Sequence, residues 1–120
     1  MDQLTILAKN ESGEEPYKVD FINDAGRLKI NCNCPDGRKG LLCDHKVRFA
    51  ANDFLLLEHP GSRGRLLEGH VWVIESELAD PLLKLIQMAG EGKTETTEYW
   101  ELQEKIAHMM KEGCRLERKS

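Results

Sequence analysis

Asn31-Cys32-Asn33-Cys34-Pro35-Asp36-Gly37-Arg38-Lys39-Gly40-Leu41-Leu42-Cys43-Asp44-His45 is the stretch around which the chain is organised, a Cys-x-Cys pair facing a Cys-x-His pair across a short loop. Three of the four cysteines and one of the four histidines fall within it. A structural Zn²⁺ takes four soft or borderline donors tetrahedrally, and three thiolates with one imidazole are one of its standard sets. Unliganded buried thiols or a disulfide are the alternatives. The spacing points to one zinc ion per chain, held by Cys32, Cys34, Cys43 and His45.

The surrounding residues give this spacing a mechanical sense. Positions i and i+2 of a strand share a face, and Leu28, Ile30, Cys32 and Cys34 share one parity, so a strand ending here delivers both thiols on its apolar side. Pro35-Asp36-Gly37 is turn chemistry, Pro fixing φ and Gly accepting positive φ. Asp44 reads as the N-cap of a helix with Val47, Ala50, Ala51 and Phe54 at i, i+3, i+4 and i+7, reaching about Leu57 before the breakers of 58–64. Upstream, Leu4, Ile6 and Ala8 alternate with Thr5, Leu7 and Lys9. Tyr17, Val19 and Phe21 alternate in the same way, and Asn23-Asp24-Ala25-Gly26 supplies a hairpin turn before Arg27 to Cys32. A three-stranded antiparallel sheet packed on the helix from Asp44 is expected.

The ligand order, the hairpin from Tyr17 to Cys32, the Cys34-Pro35 step and the following helix together resemble a SWIM-type zinc finger over roughly residues 15 to 55. The resemblance implies one structural zinc on a β-β-α unit. It also implies a role in binding DNA or protein, since such modules occur in chromatin-remodelling ATPases, mutator-type transposases and signalling proteins. No ATPase, kinase or transposase segment accompanies the finger in these 120 residues.

With 40% hydrophobic and 6% aromatic residues, the chain can bury a modest core, and a unit of about sixty residues is marginal without a staple such as a metal. The start lacks a basic region followed by a long apolar run, and no stretch is long enough to span a bilayer, so a cytoplasmic location is expected, with nucleoid or nuclear association compatible with it. Thiols stay reduced there, which favours metal over disulfide. Cys114, far from the others, is expected to be a surface or helix-end thiol. The formal charge is −4, and Zn²⁺ with three thiolates makes it one unit more negative, against the basic surplus that phosphate binding favours.

The segment 1–58 is read as the zinc unit, 59–69 as a linker and 70–120 as mainly helical, packing on the first unit or on a partner. Arg63, Arg65, His59 and His70 are taken as solvated residues in or beside the linker. Val71-Trp72-Val73-Ile74 is strand or helix by pattern. Asp80-Pro81 opens a helix as N-cap and first residue, ended by Gly90 and Gly92. Thr96 or Thr97 opens a last helix with Tyr99, Leu102, Ile106 and Met109 on one face, ending near Gly113. The fold class is α+β, a small antiparallel sheet and helix around a zinc, then a helical half.

Function follows from the site. Four protein ligands close a zinc against water, whereas catalytic zinc keeps an open position. No His-Glu-x-x-His run, Cys-x-x-Cys pair, Gly-rich phosphate loop or nucleophile elbow is present, so the chain is not expected to be an enzyme and no small-molecule substrate is inferred. A non-catalytic zinc module binding another macromolecule is the reading, with protein favoured over DNA on charge and no membrane partner. A DNA-binding accessory role is the first alternative and a thiol- or zinc-dependent enzyme the second. Arg38, Lys39, Lys46 and Arg48 are the candidate partner or nucleic-acid contacts.

Overall fold

In a computed structural model, described here for residues 1–116, the elements run β1 (Asp2–Ala8), β2 (Tyr17–Asp24), β3 (Arg27–Cys32), α1 (Pro35–Arg38), α2 (Asp44–Ala50), a 3₁₀ turn (Pro60–Ser62), α3 (Arg63–Ile74), α4 (Ala79–Gly90), α5 (Thr97–Glu112) and β4 (Cys114–Arg115). The strands form one antiparallel sheet in the order β1-β2-β3-β4. The α+β class holds, with a fourth strand that sequence periodicity could not show because it is two residues long.

Register follows from the two-residue loop Ala25-Gly26 between the paired Asp24 and Arg27. Both loop residues have positive φ, 53° and 79°, the turn geometry that matches the twist of the flanking strands. It sets Val19 opposite Cys32 and Phe21 opposite Ile30, and β1 continues the two rows with Ile6 opposite Val19 and Leu4 opposite Phe21. Ile6, Val19, Phe21, Leu28 and Ile30 are buried on this face, and Cys32 continues it. A one-residue slip would turn the whole set, thiol included, to solvent.

The helices cover that face. The ring of Phe21 lies under α3 at Gly69, where a Cβ would stand 3.0 Å from it, so glycine permits the close approach. α5 supplies Ile106, Ala107 and Met110 to the core, and α4 supplies Leu82, Leu85 and Met88. One buried cluster runs from Ile6 through Phe49 and Leu66 to Met110 and Leu116, drawing on both halves of the sequence. Met110 is fully buried and Met109 is packed against the cluster, so core packing accounts for the methionine pair.

Several boundaries differ from the sequence reading. α2 ends at Ala50, not near Leu57, because Asn52 adopts φ 62° and the N–H groups of Asn52 and Asp53 close back on the carbonyls of Phe49 and Arg48. Phe54 therefore leaves the helix and is half exposed, with the Arg63 guanidinium over its ring at 4.1 Å. Residues 56–58 instead lie beside β1, with Lys9 N–H on the Leu56 carbonyl and Glu58 N–H on the Leu7 carbonyl.

The stretch expected as a linker, 59–69, is the 3₁₀ turn and the first half of α3, and Val71-Trp72-Val73-Ile74 is its helical end. Tertiary packing overrides the glycines here: Leu66 and Gly69 bury against the sheet side, Arg65 donates to the Thr5 carbonyl, and His70 Nδ1 donates to the Ala50 carbonyl at 2.7 Å. His70 is thus an α3-to-α2 tie, while His59 is exposed. α4 begins at Ala79, two residues before the expected Pro81, whose missing N–H is harmless in a first turn. α5 begins as expected, Thr96 Oγ1 accepting the Tyr99 N–H, and ends at Gly113 with φ 96°.

Candidate metal centre

The centre is assembled from the end of β3 and the starts of two short helices. Asn33 exchanges hydrogen bonds with Lys18, its N–H going to the Lys18 carbonyl and its Oδ1 accepting the Lys18 N–H at 2.8 Å. This carries the β2–β3 ladder one residue past Cys32, leaves Asn33 outside, and returns Cys34 to the buried side.

Cys34 is also the N-cap of α1, its Sγ accepting the Gly37 N–H at 3.3 Å. Gly37 is helical, and the sequence reading of a positive-φ turn there is corrected. Its role is space, since a Cβ at Gly37 would collide with the Cys32 carbonyl oxygen. The positive φ falls instead on Gly40, at 74°, where the N–H groups of Gly40 and Leu41 close α1 on the carbonyls of Gly37 and Asp36. Cys43, one residue earlier than the expected Asp44, is the N-cap position of α2, which puts His45 in its first turn.

The donor atoms of Cys32, Cys34, Cys43 and His45 all lie within 4.8 Å of one another. Cys32 Sγ stands 3.7 Å from His45 Nδ1, against the roughly 3.6 Å edge of a tetrahedron built from zinc–sulfur and zinc–nitrogen bonds. The three thiols are 3–6% exposed. His45 is half-buried, and its ring meets that of Tyr17 with centroids 5.0 Å apart, a support the spacing of ligands gave no means to foresee. The four side chains are close enough to coordinate a metal ion.

The thiols also perturb one another as a shared donor set should. Hydrogen bonding with Cys32 draws the Cys43 thiol down to about 5, against a burial effect of opposite sign. The same hydrogen bond, with burial, pushes Cys32 far up, and burial raises Cys34. Three thiols sharing fewer protons than they can hold is the electrostatic state that a divalent cation relieves.

Cys114 is outside the cluster. It is buried in β4 opposite Leu28, not a surface thiol, and burial raises its pKa. No protein-family model matches the chain, nor does any curated protein or any solved structure.

The four candidate contact residues divide. Arg38 and Lys39 are exposed on α1 and its C-cap. Arg48 is tied to Asp53 at 2.8 Å, an ion pair that belongs to the closure of α2. Lys46 is only 2% exposed, so it presents no broad contact surface. Beside the centre lies a cleft of about 750 Å³ in which Tyr17, Pro35, Leu42, Leu55 and Leu56 flank Cys43 and His45. Among the described residues no helix is long and apolar enough to cross a membrane.

Proposed function

We propose that the chain is a zinc-binding interaction module of the Cys₃His type, SWIM-like in plan, in which the metal has a structural role and the surface around it binds a protein partner. The observation that carries the reading is the convergence of four donors, three of them buried, on one point between β3 and α2. Three thiolates select a soft or borderline ion over Mg²⁺ or Ca²⁺, and a closed four-donor set leaves no position for a reacting water. The module is therefore non-catalytic.

The cleft favours protein over DNA. Its lining mixes apolar side chains with Lys9, Arg48, Glu11, Asp36 and Asp44, whereas a phosphate-binding face carries one sign of charge. Leu55 beside it is 64% exposed, an apolar element suited to a partner's side chain. A reducing compartment, the cytoplasm by this reading, keeps the thiols available to the metal.

Metal analysis of protein purified without added metal, beside Cys34→Ser, tests the first half of the proposal. One zinc per chain in the wild type and none in the variant is expected. A folded, metal-free wild-type chain would refute it. Duplex DNA titrated at low and moderate salt tests the second half, with weak binding expected. Tight binding that weakens steeply with salt would replace the protein partner by DNA.

A further inference from the structure

A second concavity lies on the other side of α1, closed by the end of α5, with a volume of about 230 Å³. Among the described residues its charged lining is entirely basic, Arg38, Lys39, Lys46 and Lys111, and Asn31 also lines it. Among the described residues no carboxylate lines it, and neither does any of the four metal-centre residues.

Lys46 is the decisive residue. It is 2% exposed, and its side chain has neither a hydrogen bond nor an ion pair with the described residues. A buried ammonium without a partner is unfavourable, and such groups are paired, neutralised or left an opening to a ligand. No side-chain nitrogen or oxygen among the described residues is both fully enclosed and unpartnered, so the Lys46 ammonium opens into the concavity it lines. Lys111 comes from the last turn of α5 and is laid over the loop at Gly40, where a Cβ would stand 3.5 Å from its Nζ. Two distant parts of the chain thus bring cations to one concavity whose described lining holds no anionic group.

We propose that this concavity is an anion site for a single phosphoryl group, inorganic phosphate or a small phosphomonoester. Its volume is below the ~300 Å³ at which sites for drug-sized ligands begin, so it holds a head group and not an extended molecule. Four cations lining one small concavity suit the double charge of a monoester. A nucleic-acid backbone, one charge per diester, is met by cations spread along a stripe. The site adds a ligand chemistry to the zinc-module reading and depends on it only for the fold of the α1–α2 loop.

The test is calorimetric titration of the full-length, metal-loaded chain with inorganic phosphate and with phenyl phosphate, at ionic strength held constant with chloride. A short single-stranded oligonucleotide lacking terminal phosphates serves as the diester probe, and zinc is quantified in every sample. Stoichiometric binding of both monoanionic-to-dianionic probes is expected, weakened about tenfold or more in Lys111→Gln, which removes one charge-assisted contact from an exposed helical position. Lys46→Met should weaken it at least as much. Should Lys46→Met fail to fold, Lys111→Gln decides alone. Phosphate binding no better than chloride, or equal binding by Lys111→Gln, overturns the proposal, and so does an oligonucleotide that binds more tightly than phosphate. Because zinc content is read separately, loss of the anion site with zinc retained leaves the metal reading standing.

Discussion

The two short helices at the metal centre and the three long helices that follow are held in place by different means. α1 has four residues, none of them buried, and α2 has seven, of which Lys46, Phe49 and Ala50 are buried. α5 has sixteen and places Ile106, Ala107 and Met110 in the core, with α4 packed alongside. An isolated helix of one or two turns is unstable in water, and burial of a single apolar side chain is worth about 1.5–3 kcal/mol. The long helices can be positioned by such burial. α1 cannot, and its position depends on Cys34, which both caps it and belongs to the ligand set. A cross-link takes over where side chains have too little area to bury.

Removing the metal is the strongest way to break this contrast. Zinc in finger peptides contributes on the order of 10–16 kcal/mol of apparent binding free energy. Cys34→Ser is the informative variant, because serine is itself a favoured N-cap and only the thiolate is lost. Hydrogen-exchange protection should collapse through α1 and α2 while the centres of α4 and α5 keep more of theirs. Uniform loss would make the two regions one cooperative unit. The thiols give an independent readout. In metal-free protein Cys43, lowered to about 5, is a thiolate at neutral pH and should alkylate first, and buried Cys114 last. Cys32 and Cys34 are raised and still protonated, so metal uptake near neutral pH should release about two protons, and affinity should fall as pH falls. Calorimetry in buffers of different ionisation enthalpy counts them.

Gly37→Ala attacks the same region without touching a ligand. Its Cβ would collide with the Cys32 carbonyl carbon and oxygen and with the Cys32 Cβ, backbone and side chain of a rigid strand end. Relief requires α1 to move off β3, taking Cys34 with it. Overpacking of this kind costs about 1–3 kcal/mol, occasionally more, and here it should appear as weakened metal binding in a competition titration with a chelator. Unchanged zinc affinity would show that α1 can shift freely and that its seat on β3 is not part of the site.

The metal-centred region was the more legible of the two in sequence. Cysteine and histidine spacing is a discrete signal, and strand parity placed Cys32 and Cys34 on the buried face before any coordinates. Burial is a different matter. Lys46 reads as a surface cation because it is a lysine near Arg48, yet on α2 it is buried with Phe49 and Ala50. The end of α2 was missed because Asn52 in a left-handed conformation carries weaker sequence evidence than glycine, although the same closure at Gly92 was read correctly. Gly61 and Gly64 read as breakers, yet α3 runs through Gly64, held by Leu66, Trp72 and Val73 in the core. β4 is too short to carry a period at all.

Ile106→Ala tests whether the long helices are an independent layer. Ile106 is fully buried, and its truncation should cost about 2–5 kcal/mol. Since one cluster includes Ile106, Ile30 and Cys32, chemical denaturation should show a single transition at lower denaturant, with zinc still bound in native buffer. Two transitions, one at the wild-type midpoint, would mean that the sheet and metal centre stand without α5.

Thr96→Ala has the smallest expected effect and gives the sharpest comparison. Thr96 and Cys34 occupy the same position in their helices: the Thr96 Oγ1 accepts the Tyr99 N–H at 3.2 Å, as the Cys34 Sγ accepts that of Gly37. Thr96 also donates its hydroxyl hydrogen to the Lys93 carbonyl at 2.9 Å, joining the end of α4 to the start of α5. Losing this cap should cost about 1 kcal/mol, the ordinary value, and Thr96→Ser should restore nearly all of it. Exchange should quicken only in the first turn of α5, with zinc affinity unchanged. At Cys34 the hierarchy reverses: serine preserves the cap and loses the metal. If Thr96→Ala instead weakens zinc binding, the first turn of α5 is coupled to the centre through the shared core, and the two regions are stabilised jointly and not by separate means.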